Sequence, residues 1–411
     1  MSGTQTNTDK EQLWIDHSAA SAFPNYIYVC WHNGNSAFAA RRTGPAGSWG
    51  APIQISGAET TGTAIGCDVK TNSAGDAFVF YPDTGSSRIY YVKSTNGGTS
   101  WSAPATAAAT IDSYDIGVPA FASRRELIYA TGGAYKAGTT NNVYVAYNDL
   151  TGATGCTAPA NEPGTNAAST CKTRIWVARS TNGGTSWTKA MINNQASLND
   201  QFNPWLAVDE TTGRVSVMYY DTVNDSTRKK SDVYYQTSTD GAVTWSTPTK
   251  VTTAMTDETA ASANLGNQYG DYNGMSGYNN IFLPSWTDRR NNAKEEIWTA
   301  SISETTVSCP AVSAFVSGPS SEPLHVSSTY TASYSGATLT SPQYWWSMRF
   351  NSPTTGWSSW STPFQSSGPT TTASLNSCGY NQFELKVEIR VAGCPSALGS
   401  GSEVVTITGA C

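Results

Sequence analysis

Short apolar runs, each closed by Gly, Asn, Asp, Ser or Pro, recur along the first three quarters of the chain. YIYVCW (26–31), DAFVFY (76–81), NVYVAY (142–147), RVSVMYY (214–220) and NIFLPSW (280–286) are rich in aromatic and β-branched residues, the composition of strands. After each comes a second such run: SAFAAR, SRIYYVK, TRIWVAR, SDVYYQT and, in the fifth case, EEIWTAS (295–301). Before each lies a candidate first strand: LWID (13–16), IGCDV (65–69), VPAFA (118–122), PWLAVD (204–209) and YGDYNGM (269–275). The pattern predicts five successive up-and-down β-units.

The turn that closes the third strand repeats almost letter for letter. STNGGTSW stands at 94–101 and again at 180–187, STDGAVTW at 238–245, and a degraded RTGPAGSW at 42–49. Glycine supplies positive φ, Asn or Asp caps the turn through its side chain, and Trp packs beneath it. S-x-D-G-G-x-T-W between two strands resembles the Asp-box, or BNR repeat, of the sialidase-like β-propellers. The matching positions are Asn96 and Trp101, Asn182 and Trp187, and Asp240 and Trp245. The resemblance implies an all-β fold with an Asp-box propeller over 1–307, in which the boxes are folding elements on the outer rim. Five blades fit the register. Six would need a further blade within 105–150 or one missing at the N-terminus. The fifth unit has no box, so its outer strand is expected from the N-terminal GTQTNT.

Beyond Ser303 the repeat stops and CPAVSAFVSGPSSEP reads as a linker. Alternating runs STYTASY, QYWWSMRF, FELKVEIRV and EVVTIT then predict a small disulfide-stapled, immunoglobulin-like sandwich over 308–411. Trp345, Trp346, Trp357 and Trp360 are assigned to its core, and WSSWS (357–361), although it matches a cytokine-receptor signature, is set aside as a chance match.

Composition agrees with β structure: 13 % of residues are charged, while Trp (14) and Tyr (21) supply surface to bury. A net charge of −6 with no basic stripe excludes a nucleic-acid partner. No apolar run is long enough for a membrane span, and the polar N-terminus carries no apolar signal core. The eight cysteines include no C-x-x-C pair, which argues against zinc. Cys156 and Cys171 flank a Gly/Pro/Asn-rich loop and are expected to bridge. Cys309, Cys378, Cys394 and Cys411 have the density of a stapled extracellular module, with their connectivity open. Cys30 and Cys67 are read equally as a bridge or as buried thiols. A secreted or cell-surface protein is expected.

Up-and-down topology puts the boxes on one face of the ring and the second-to-third-strand turns on the other. Those turns pair an aromatic with Asp or Asn in all five units, and aromatic faces with carboxylates suit a glycan or glycoprotein partner. The candidate glycan contacts are Trp31, His32, Asp83, Asp149, Tyr220, Asp221, Trp286 and Asp288. The competing reading is that Asp and Asn are simply good turn residues. The resemblance to sialidases implies three arginines on a substrate carboxylate, a Tyr–Glu nucleophile and an Asp acid/base. The family's early F/Y-R-I-P motif is absent, and Arg41 and Arg42 fall on the box rim. Asp271, Tyr272, Arg289 and Arg290 remain as catalytic candidates, with Tyr269, Arg124, Arg125 and Glu126 as supporting groups. His17 and His32 raise a weaker polysaccharide-lyase option. Asp221, Asn224 and Asp225 offer oxygens for a structural calcium, without the spacing of a known loop; no other metal or cofactor is expected. Two functions stay open: a glycan-binding or adhesion protein, and a glycoside hydrolase of the exo-sialidase type.

Overall fold

A computed structural model describes residues 5–290, 294–304, 309–339, 341–391, 394 and 396–409. The chain divides into two compact units, 1–305 and 306–411.

The first unit is built from consecutive antiparallel meanders. Sheet one comprises Thr8–Ile15, Ile27–Asn33, Ser36–Arg42 and Ile53–Gln54. Sheet two comprises Asp68–Thr71, Ala77–Asp83, Arg88–Ser94 and Ala105–Ala109. Sheet three comprises Thr131–Ala137, Thr140–Leu150, Thr173–Ser180 and Thr188–Met191. Sheet four comprises Gln201–Val208, Val215–Asp221, Asp232–Ser238 and Thr249–Lys250. Sheet five has Gly274–Tyr278, Ile281–Asp288 and an interrupted third strand, Glu296–Thr299 and Ile302–Ser303, both parts pairing with Ile281–Asp288. The first strands of sheets one to five pack side by side in chain order.

Three expectations are corrected here. VPAFA is a buried link, and the first strand of sheet three is TGGAYKA instead. Its two glycines hid it from a hydrophobicity pattern. A Cβ on Gly132 would lie 2.2 Å from the Phe80 ring, and one on Gly133 2.5 Å from Val208, so only glycine lets neighbouring first strands approach this closely. YGDYNGM is a turn up to Asn273 and a strand only from Gly274. Gln5 and Asn7 run beside sheet one, where the Trp31 indole donates to Gln5 and the Asn7 amide to the Asn33 side chain. Sheet five therefore has no fourth strand among the described residues.

The three repeated turns fold alike. Ser94 Oγ donates to Asn96 Oδ1 (2.9 Å) and accepts the Gly98 amide, while Asn96 Oδ1 also accepts Ser100 N. Ser180/Asn182 and Ser238/Asp240 repeat these bonds. Carboxamide and carboxylate are interchangeable because the oxygen only accepts. Each turn is tied to the preceding sheet: Arg41 reaches Gly97 O, Tyr91 reaches Gly184 O and Arg179 reaches Gly241 O. Trp101, Trp187 and Trp245 pack on the adjoining cores.

The second unit is a sandwich of a three-stranded sheet (Ser313–Ser317, Ser328–Ser335, Thr370–Ala373) and a larger sheet centred on Gln343–Ser352, Gln382–Arg390 and Gly399–Thr408. Tyr330, Trp346, Phe383, Leu385 and Val387 share its core. Only Trp346 of the four tryptophans lies there. The others interleave with cations on the outer face: Arg349 is 4.8 Å from the Trp357 ring and 4.6 Å from Trp360, Lys386 is 4.9 Å from Trp360, and Arg390 is 5.1 Å from Trp345. The serines of WSSWS accept strand amides, Phe350 N to Ser358 Oγ and Met348 N to Ser361 Oγ. The five residues thus form a defined edge.

Disulfides join Cys30 to Cys67, Cys156 to Cys171 and Cys309 to Cys394. Cys378 is also disulfide-bonded, and Cys411 lies outside the described residues. No helix of the described residues is long and apolar enough to cross a membrane.

Candidate functional site

The aromatic-x-Asp/Asn turns do not form an open sugar-binding ring. Asp83, Asp149, Asp221 and Asp288 are fully buried. Asp83 accepts the Thr61 and Gly62 amides, Asp149 those of Ile111 and Asp112, and Asp221 the side-chain amides of Asn199 and Gln201. All of these donors but Gln201, the first residue of its sheet's first strand, lie in the link that enters the same sheet. Asn33 does likewise for Asn7 N in sheet one (3.1 Å). In sheet five, Asp288 holds Arg290 and the Trp286 indole, while the neighbouring Arg289 N bonds the Thr256 hydroxyl of the entering link. Each turn is a latch between a sheet and its incoming link. Burial lifts both Asp149 and Asp221 to about 6, against the pull of their hydrogen bonds.

Their aromatic partners are equally enclosed. Trp31, His32, Tyr220 and Trp286 are all buried. His32 Nδ1 accepts Gly66 N, and burial pushes its pKa down. The Tyr220 hydroxyl donates to Thr287 O (2.7 Å), with Phe202 and Tyr269 against its ring. The oxygens considered for calcium have separate duties as well. Asn224 donates to Asp232 and Tyr234, and Asp225 accepts Thr227, Lys229 and Lys230 amides. Among the described residues no cluster of three or more His, Cys, Asp or Glu is placed to hold a metal.

A different set converges where the first strands begin, at the end of the sheets opposite the boxes. Three non-glycine residues there adopt positive φ: Lys10 (56°), Asn203 (45°) and Tyr269 (58°). Lys10 and Asn203 sit in register shifts of their first strands, between Asp9 and Gln12 and between Phe202 and Trp205. Bulges and left-handed residues at such ends re-aim side chains, and they cluster at functional sites. The Lys10 side chain turns inward and ion-pairs with Asp271, which also takes Arg124 on its other oxygen. Burial alone would raise the Asp271 carboxyl. The Lys10 and Arg124 hydrogen bonds and charges outweigh it and hold the pKa below the usual range.

Gln268 fixes this arrangement from below. Its Oε1 accepts three successive amides, Ala122 (3.1 Å), Ser123 (3.1 Å) and Arg124 (3.2 Å), and its Nε2 donates to Glu258 O. The loop carrying Arg124 is thereby tied to the one carrying Asp271. Beside them Tyr272 is 39 % exposed, its ring centroid 5.6 Å from Tyr129 and 6.3 Å from Trp205. Tyr129 donates to Cys67 O and is stacked on Trp205. Burial and the nearby Glu11, Asp271 and Asp9 raise the Tyr272 hydroxyl's pKa. The mouth thus offers one open phenol on an aromatic floor, next to a carboxylate gripped by two cations from other parts of the unit.

Of the catalytic candidates, Asp271 and Tyr272 meet here. Arg289 and Arg290 are committed elsewhere. Arg289 is buried, donating to Asp257 O and Ser262 Oγ, while Arg290 pairs with Asp288 and lies 4.0 Å over Trp298. Arg125 holds Asp115 and Glu162. Glu126 is buried against Asn148, and Tyr269 accepts from Ser231 inside the core. The arginines serve four separate partner sets. His17 lies at the box-side end, 3.3 Å from Glu210. Lys10, Gln268, Tyr129 and Trp205 carried no local signal in the sequence, since a bulge and a cross-loop amide bond depend on tertiary packing.

No family model and no curated protein matches the chain. Among solved structures it is similar to an N-acetylgalactosamine deacetylase from F. plautii in complex with blood group B trisaccharide. Identity is 10 %, coverage 69 % of this chain and 80 % of that one, and the TM-score 0.38. It is also similar to an exo-β-1,3-galactanase from Phanerochaete chrysosporium with β-1,3-galactotriose, at 8 % identity, 97 % and 95 % coverage and a TM-score of 0.37. At these scores neither neighbour assigns a site or an activity to this chain.

Proposed function

We propose that this chain is a secreted, sialidase-like five-bladed propeller with an immunoglobulin-like module, and that it binds glycans at the mouth around Tyr272. The observation that carries the reading is the convergence at one end of the unit. Two bulged first strands, the left-handed Tyr269 and the Lys10–Asp271–Arg124 ion pairs all frame an exposed tyrosine on an aromatic floor. A tyrosine face stacks on the apolar face of a pyranose, and the flanking charges bond its hydroxyls. The disulfides fit an oxidising compartment. Binding is favoured over hydrolysis because glycosidases use one carboxyl kept protonated beside one ionised. Held ionised by two cations, Asp271 can serve only as the ionised member of such a pair.

The test is a glycan array with wild type, Tyr272→Ala and Asp271→Asn, run alongside a panel of 4-methylumbelliferyl glycosides. Retained binding in wild type and its loss in both variants is the expected result. Binding unchanged in both variants removes the mouth as the site. Turnover abolished by Asp271→Asn replaces the binding reading with a glycosidase.

A further inference from the structure

The bulge in Thr8–Ile15 distributes acid and base around Tyr272. There Lys10 and Glu11 together stand opposite Trp31, since the pairing steps from Asp9 with His32 to Gln12 with Cys30. The left-handed Lys10 turns its side chain in to Asp271, while Asp9 and Glu11 on either side of it are exposed. Asp9 Oδ1 accepts the Lys10 amide at 2.8 Å, which helps to hold the bulge. Among the described residues neither Asp9 nor Glu11 is ion-paired.

The cations of the mouth are already engaged. Lys10 and Arg124 each hold one oxygen of Asp271, so this trio carries one positive charge. Asp9 and Glu11 turn that into one negative. Arg125, next on the loop, is shared between Asp115 and Glu162, which adds a second. The rim is therefore acidic, and the phenols beside it register the field. After burial, Glu11, Asp271 and Asp9 raise the pKa of the Tyr272 hydroxyl, and Asp115 and Asp271 raise that of Tyr114. Asn203 lies at the other bulge, beside the Trp205 floor. It is 4 % exposed and its side-chain nitrogen has no partner among the described residues, which leaves a donor for a ligand oxygen.

Three classes of sugar meet this rim differently. A carboxylated or sulfated ring is repelled by it, and a neutral or N-acetylated ring gains nothing from it. A protonated amine is drawn by the free carboxylates and by the electron-rich face of the exposed tyrosine. We infer that the mouth selects a glycan bearing a free protonated amine, a de-N-acetylated amino sugar, whose ring stacks on Tyr272 while its ammonium meets Asp9 and Glu11. This selectivity rests on the glycan-binding reading of the same mouth.

Isothermal titration calorimetry at about pH 6, where the amine is protonated and the carboxylates are ionised, tests it. The probes are tetramers of glucosamine and of galactosamine, their N-acetylated forms, and tetragalacturonate. The proteins are the full chain as wild type, Asp9→Asn/Glu11→Gln and Tyr272→Ala. Wild type should bind an amino tetramer about tenfold more tightly than its acetylated form, which two exposed charge pairs can supply. Tetragalacturonate should bind more weakly still. In Asp9→Asn/Glu11→Gln the ratio of amino to acetylated affinity should fall to about twofold. Both residues are exposed and Asn keeps the acceptor for the Lys10 amide, so near-UV circular dichroism should match wild type. Raising NaCl from about 20 to 500 mM should shrink the wild-type preference. Acetylated or acidic tetramers that bind as tightly as the amino ones overturn the selectivity and leave the glycan site standing. An amine preference retained in the carboxylate variant overturns it too. No binding by any tetramer, or binding untouched by Tyr272→Ala, removes the glycan reading and the selectivity with it.

Discussion

Glu258 offers a sharp test of how the mouth is supported. Its side chain is fully buried in the link entering sheet five. Oε1 takes the Thr256 hydroxyl at 3.1 Å, while Oε2 has no partner. Around it stand Arg289, Glu295 and Asp288, with Tyr220 and Tyr269 on the core side. Burial, reinforced by the two carboxylates and opposed by Thr256 and Arg289, pushes it up to about 7. An unfolded glutamate titrates near 4.3, so between these values the native state holds a proton that the unfolded chain has released. The contribution to stability is complete below about pH 4.3 and is lost as pH rises through 7. At about 1.36 kcal/mol per pH unit the loss by pH 8 comes to roughly 3–4 kcal/mol, an upper bound because water relaxes around a buried charge. Glu258→Gln removes the ionisation, so the variant should overtake wild type at pH 8 and lose its advantage at pH 4.5. Urea denaturation of both proteins at the two pH values measures this, provided the slopes match. Asp149 and Asp221, each near 6, tilt both proteins in the same direction and drop out of the difference. Identical pH dependence in wild type and variant would refute the reasoning.

Three other outcomes follow from contacts within the first unit. Gln268→Ala takes from three part-buried amides their shared acceptor, which costs about 0.5–1.5 kcal/mol. It should also weaken glycan binding, since Arg124 and Asp271 lose their common anchor; Gln268→Glu, which keeps the acceptor, should retain more of the binding on the same array. Replacing Cys156 and Cys171 by serine opens a loop of sequence separation 15. Calorimetry should show about 3 kcal/mol less stability with sheet three otherwise intact. Asp200→Asn strips the partner from the fully buried Arg228, and chemical denaturation should register about 3–5 kcal/mol of destabilisation.

The strand runs and turns were legible because alternation, turn residues and an eight-residue repeat are local signals. Sheet three's first strand was not, since Gly132 and Gly133 were selected by what Phe80 and Val208 leave room for. The recurrence of Asp83, Asp149, Asp221 and Asp288 was visible, but its use was misread: an acceptor for a nearby backbone and an acceptor for a sugar hydroxyl look identical in one dimension. Asp271 and Tyr272 stood out because YGDYNG is richer than a turn needs. Their companions Lys10 and Arg124 come from positions 261 and 147 residues away. The tryptophans of the second unit were assigned inward on hydrophobicity, whereas three of them share their faces with cations on the outside.

The latches also bear on how such a chain grows. Because Asp83, Asp149 and Asp221 grip the links arriving from the preceding sheets, and the Arg289 amide does so in sheet five, a sheet copied without that link would arrive with an empty clasp. The portable cassette starts in the link and runs to the fourth strand, each copy bringing the segment its own carboxylate closes on. Recombination joints that preserve folding should therefore fall just after the fourth strands, near residues 55, 110, 192 and 251. Grafts cut at the start of a first strand should fail even when every strand in them is intact.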